Sequence, residues 1–218
     1  MATGNVPAMS TLPKSLLWVR TDTSGMEHTL LDDRRGLCAR GTALAAVPVP
    51  YTCRYELLTD EAWASVRLEV TVEGTGWLRQ ARLERAAGRW RITTAEQGDL
   101  DAALTAAGLP LAGLPGIDDP DRLGDAEDVD LGGSPLTNTL PVRRLGLQDA
   151  DPDTTRQLNV VWLLVPSLTV VPAEQTYTVL EGGNVRYSSE GFSAELQLDA
   201  EGYVLNYPGL AERVGAAA

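Results

Sequence analysis

Hydrophobic and polar residues alternate with a period of two through much of this chain. The clearest run is residues 65–73. Val66, Leu68, Val70 and Val72 share one face there, with Arg67, Glu69, Thr71 and Glu73 on the other. Residues 192–199 repeat the pattern, with Phe192, Ala194, Leu196 and Leu198 set against Ser193, Glu195, Gln197 and Asp199. Such alternation predicts strands with one dry and one wet face. Further strands are expected over 52–58, 77–84, 89–93, 175–180, 185–188 and 203–206. Residues 158–165 are almost continuously apolar, which predicts a strand covered on both faces. Turn signals at Gly74-Thr75-Gly76, Ala87-Gly88, Glu181 to Asn184 and Asp199 to Gly202 separate these runs at short intervals. The fold class read from this pattern is mainly β, an antiparallel sheet rolled or closed upon itself.

Helical patterns are scarce. One short helix is expected near 99–107, with Asp99 as its N-cap, an alanine-rich interior and Gly108 as its stop. A second lies in the run Ser134-Pro-Leu-Thr-Asn-Thr-Leu-Pro-Val-Arg-Arg-Leu145. Thr137, Asn138 or Thr139 could cap it, Pro141 is tolerated only in a first turn, and residues 142–145 would follow. Arg143 and Arg144 would then sit near its C-terminal end, where the helix dipole favours cations. An extended entry into a strand is the alternative. Residues 108–127 read as a variable, irregular, acidic loop rich in proline and glycine. Residues 1–14 read as a flexible tail, and 15–214 as a single domain.

Composition changes this picture by exclusion. A formal net charge of −12 over 218 residues argues against nucleic acid, which needs clustered Lys and Arg, and against an anionic membrane surface. No run approaches the roughly 20 apolar residues that span a bilayer, so no membrane insertion is expected. The opening residues lack the basic and apolar regions of a signal peptide, and a cytoplasmic location is expected. Cys38 and Cys53 form no CxxC pair, so they read as two buried or half-buried free thiols rather than a zinc site. No metal or cofactor is expected.

Catalytic chemistry is poorly supplied. His28 is the single histidine, follows Glu27 on an expected strand, and reads as structural or exposed. There is no G-x-S-x-G nucleophile elbow. Asp128 and Asp130 form an i, i+2 carboxylate pair on one strand face, which leaves a glycoside hydrolase as the least favoured reading. The carboxylates of the acidic loop do not follow calcium-loop spacing and read as a solvated surface. Gly132-Gly133-Ser134 lacks the Gly-Lys-Ser/Thr ending of a phosphate loop.

The run from Asp128-Val-Asp130 through Ser134-Pro-Leu-Thr-Asn-Thr-Leu-Pro-Val-Arg-Arg-Leu145 resembles the signature of the bacterial putative glycolipid-binding proteins. The likeness continues in Trp18, Asp22, Gly25 and Glu27, in Tyr55, Asp60, Trp63 and Arg67, and in Gln175-Thr-Tyr177, Tyr187, Phe192 and Gly202 to Leu210. It covers most of residues 18–214. Leu136 stands where the family has Phe, Asn206 where it commonly has Asp, and the segment 100–126 is longer. The resemblance implies a spiral β-roll wound about one short helix and a non-enzymatic protein for a glycolipid or other amphipathic small molecule. That functional name itself rests on fold.

Within that expectation Arg143 and Arg144 could grip an anionic headgroup, and Thr137, Asn138 and Thr139 could bond sugar hydroxyls. Trp63, Trp77, Tyr177 or Tyr187 could stack on a sugar or line an acyl channel. Glu27 and Arg67 complete the candidate set. The competing reading is a structural or interaction protein, a homodimer included. There the arginines pair with Asp128, Asp130 or Glu27 and pin the helix inside the roll.

Overall fold

The computed structural model describes residues 14–215. These form one open sheet of 14 strands: β1 (Lys14–Arg20), β2 (Gly25–Asp32), β3 (Cys38–Ala45), β4 (Tyr51–Thr59), β5 (Ser65–Gly74), β6 (Trp77–Ala86), β7 (Arg89–Gly98), β8 (Asp128–Leu131), β9 (Thr155–Leu163), β10 (Val170–Val179), β11 (Val185–Ser189), β12 (Phe192–Leu198), β13 (Val204–Tyr207) and β14 (Ala211–Arg213). The order across the sheet is β7-β6-β5-β4-β3-β2-β1-β14-β13-β12-β11-β10-β9-β8. Neighbours are antiparallel, most of them successive hairpins, and β1 is joined to the distant β14 with Trp18 opposite Arg213. The exception is β8, which runs parallel to β9 with Asp130 opposite Trp162. A parallel neighbour needs a crossover, and the chain between β8 and β9 supplies it. That crossover holds helix α2 (Thr139–Arg144), preceded by a 3-10 turn at Pro135–Asn138.

The sheet rolls around this crossover. Every residue from Ser134 to Val142 is buried. Leu136 and Leu140 pack among Trp18, Leu31, Tyr55, Leu57 and Leu68 of the first strands, while Val142 joins Tyr177, Val179, Leu196 and Val204 of the later ones. The β8 edge lies against β5, where the Ser65 amide donates to the Glu127 carbonyl at 2.8 Å and the Val129 amide to Ser65 Oγ at 3.1 Å. The fold is therefore mainly β, a rolled sheet around a short helix, as expected.

Details differ from the hydropathy reading. Lys14 opens β1 instead of belonging to a tail; residues 1–13 of that expected tail lie outside the described residues. The strand expected over 158–165 is β9, and only Val160, Val161 and Leu163 are fully buried, because Asn159 faces outward and the chain leaves the sheet after Leu163. Helix α1 (Leu100–Ala106) forms as expected, with Asp99 accepting from the Ala102 amide at 2.9 Å. None of Thr137, Asn138 or Thr139 caps α2 through its side chain; the 3-10 turn feeds it directly, and these side chains are used elsewhere. The acidic segment is tied down by Leu123 and Ala126, both buried, and by the Trp90 indole donating to the Ala126 carbonyl at 2.9 Å. Its carboxylates Asp119, Asp121 and Asp125 remain exposed. Cys38 is exposed, not buried, while burial pushes the Cys53 thiol up to about 12.

Candidate functional site

The signature side chains divide into three neighbourhoods. The first is an ion cluster at the C-terminal end of α2. Arg144 grips the fully buried Asp128 through Nε (3.1 Å to both oxygens) and Nη2 (2.6 Å), and reaches Glu127 through Nη1 at 2.6 Å. This is the fork geometry in which guanidinium binds carboxylate best. Burial holds the Asp128 carboxyl above its ordinary range, with Arg144 pulling against it. Arg143, one residue earlier, faces elsewhere. Its guanidinium lies 4.3 Å from the Trp63 ring centroid and donates to the Glu201 carbonyl at 2.6 Å. Trp63 holds a positive φ of 70° in the turn before β5, which presents its ring to α2.

The second neighbourhood surrounds Glu27 on β2. Glu27 is fully buried and accepts from the Tyr55 hydroxyl and from Ser134 Oγ (2.7 Å), while its other oxygen has no partner. Burial raises its carboxyl to about 6 against the pull of those hydrogen bonds and of Arg20. Thr29 joins through the Tyr55 hydroxyl at 2.6 Å.

The third is a cleft of about 320 Å³ between the crossover and strands β11–β13. One wall is Asp130, Ser134 and Asn138, and the other is Tyr187, Phe192 and Tyr207. Asp130 accepts from Thr137 Oγ1 at 3.0 Å and from Gln175 Nε2 at 2.6 Å. Burial raises its carboxyl, opposed by those two hydrogen bonds. Asn138 donates to the Tyr177 hydroxyl at 2.9 Å, and Tyr177 packs edge-on against Tyr187 at 5.4 Å. Burial, followed by the charge of Asp130, pushes the Tyr187 hydroxyl up to about 12.

Of the residues singled out in the sequence, Thr137, Asn138 and Tyr177 therefore meet around Asp130, and Arg143 meets Trp63. Arg144 lies with Asp128, and Glu27 reaches the signature through Ser134. Thr139 is fully buried, and its hydroxyl has no partner. Arg67 lies apart on the outer face of β5, beside Glu69 at 3.3 Å. Trp77 packs in the core with Leu68 and Leu83. His28 faces outward, with its Nε2 3.0 Å from Ser15 Oγ. Gln175, Ser134 and Tyr207 carry part of the family likeness but are not among the candidate binding residues, and Trp162 is in neither set. The i, i+2 relation of Gln175 to Tyr177 on one strand face was the available signal for Gln175.

The Asp128–Asp130 pair is divided in its partners, one gripped by an arginine and the other by two neutral donors. Among the described residues, no group of His, Cys, Asp or Glu is arranged to hold a metal ion, and no helix is long and apolar enough to cross a membrane.

Fold and site together describe a single rolled sheet that buries a short crossover helix beside an aromatic-walled cleft. This chain belongs to the family described as "Putative glycolipid-binding", which matches residues 15–213. A solved structure, that of a DUF1089 family protein from Pseudomonas aeruginosa, shares the fold with a TM-score of 0.64. It is 24% identical, and the match covers 98% of this chain and 100% of that one. No curated protein matches.

Proposed function

We propose that this protein is a non-enzymatic binder of an amphipathic, glycolipid-like ligand whose polar head enters the cleft between the crossover and β11–β13. The observation that carries the reading is the lining of that cleft. Asp130 and Asn138 offer hydrogen-bonding groups along one wall, and Tyr187, Phe192 and Tyr207 offer ring faces along the other. Aromatic faces for the apolar side of a sugar, with a few fixed polar groups for its hydroxyls, are what a small-molecule site of this kind needs. A volume near 320 Å³ suits a headgroup rather than a whole lipid. The family description points the same way.

In this reading the arginine pair of the signature pins α2 and does not grip the ligand. Arg144 is committed to Asp128 and Glu127, and Arg143 to Trp63 and the Glu201 carbonyl. The non-enzymatic character rests on the same commitments, since the Asp128 carboxylate is neutralised by its guanidinium.

The test is native mass spectrometry after incubation with a glycolipid extract. The parent protein should retain a lipid adduct. Ser189→Trp, which fills the cleft from β11, should not. An adduct retained equally by both proteins, or by neither, overturns the reading.

A further inference from the structure

We infer that the cleft selects a ligand whose polar head carries an ammonium group. This rests on the cleft being the binding site proposed above, and it reverses the charge expected of a ligand held by the signature arginines.

The charged groups lining the cleft are Asp130 and Glu190, both acidic. Asp130 accepts hydrogen bonds from Thr137 and Gln175, and both donors are neutral. The arginines nearest in sequence, Arg143 and Arg144, are engaged with their own partners. Arg20 packs behind Gly133, and it is held by Asp22 through Nε at 2.6 Å and Nη2 at 2.5 Å. A phosphate or carboxylate entering here would meet two acidic side chains and no guanidinium opposite. An ammonium would meet a carboxylate that lacks a cation.

The ring geometry adds an independent argument. Tyr187, Phe192 and Tyr207 form a near-equilateral triangle, with centroids separated by 6.2, 6.3 and 6.1 Å. Their planes are mutually inclined by 56°, 38° and 64°, so the rings pack tilted and edge-on instead of stacking. A cation in the cleft that these three residues line lies beside them, and any ring face turned to it attracts positive charge within roughly 6 Å. Aromatic cups with an acidic residue beside them are the chemical solution for alkylammonium groups. Two sources share this chemistry: the amine of an amino-sugar headgroup and a quaternary ammonium head.

Isothermal titration calorimetry with three probes separates them: octyl β-glucoside, its 2-amino-2-deoxy analogue, and tetramethylammonium chloride. The amino glycoside should bind about tenfold more tightly than the neutral one, as a desolvated cation–π and carboxylate contact implies. Asp130→Asn should reduce that preference to about threefold or less. Should Asp130→Asn fail to fold, Glu190→Gln decides. Glu190 is exposed on the turn after β11, and its loss should narrow the preference about threefold, as for a partly screened charge. Equal binding of both glycosides overturns the ammonium inference and leaves the glycolipid reading standing. Binding of tetramethylammonium with neither glycoside bound supports the inference and overturns the glycolipid reading. No binding of any probe overturns both.

Discussion

Replacing Arg144 with Met tests whether the signature arginine is a structural pin. The substitution keeps most of the aliphatic stem and removes the guanidinium. Asp128, with a side chain 1% exposed, loses contacts of 2.6, 3.1 and 3.1 Å and gains no solvent in exchange. Breaking a buried ion pair from one side costs about 3–5 kcal/mol, because the stranded charge keeps its desolvation penalty. At roughly 2–4 °C per kcal/mol for a chain of this size, the melting midpoint should fall by about 6–20 °C. The loss should depend on pH with a definite sign. Burial already raises the Asp128 carboxyl, and Arg144 opposes that rise, so removing Arg144 raises it further. A carboxyl raised in the folded state contributes stability that is present below its unfolded pKa and is lost as pH rises through its folded pKa. The deficit of Arg144→Met should therefore be smaller at pH 5 than at pH 8. Adding Asp128→Leu removes the stranded charge and should recover stability relative to the single variant. Arg143→Gln provides the contrast. Its half-buried guanidinium gives up a ring contact worth about 0.5–2 kcal/mol. Thermal and urea denaturation followed by circular dichroism measure all four proteins. An Arg144→Met protein within about 1 kcal/mol of the parent at pH 8, or a double variant less stable than the single one, refutes the pin.

Glu27→Gln should flatten one component of the stability–pH curve. Glu27 rises to about 6 on burial, from an unfolded value of about 4.3. Its contribution is present below that unfolded value and is lost as pH rises through about 6, on the order of 2 kcal/mol in all. The stability difference between parent and variant should therefore shift by that amount between pH 4 and pH 8 in urea melts, in the variant's favour at the higher pH. Gly41→Ala should destabilise by about 1–3 kcal/mol in a thermal melt, since a methyl group there would enter the space of the Tyr55 ring across the β3–β4 pair.

Much of the sheet was legible because β5 and β12 keep apolar residues on one face and polar residues on the other. The early strands were not, for a physical reason visible in β2. Its inner row is Glu27, Thr29 and Leu31, all buried, while Met26 and Leu30 face solvent at 42% and 51% exposure. The buried polar row serves the hydrogen-bond network at Glu27, so hydropathy runs nearly backwards. In β3 the inner row is Ala39, Gly41 and Ala43, too small to announce a dry face. The crossover helix was legible from its prolines and its terminal arginines. The cleft was not. Its three rings come from β11, β12 and β13, and only the pairing of those strands brings them together. Nor could a motif that sets Arg143 beside Arg144 reveal that the two point to different partners.

The order of the strands has a kinetic consequence. Read from the β8 edge, it runs β8 to β14 and then β1 to β7. Apart from the parallel edge strand β8, the sheet is thus a meander whose sequence has been cut in the middle and rejoined across its two outer edges through the segment at 99–127. Nearly all neighbouring strands are close along the chain, whereas the β1–β14 seam joins Trp18 to Arg213. That seam pairs strands from opposite ends of the sequence, and such non-local pairing slows folding. A circular permutant that links the segments flanking β1 and β14, and opens within 108–115, turns the seam into a local hairpin. It should refold faster than the natural order while reaching the same roll.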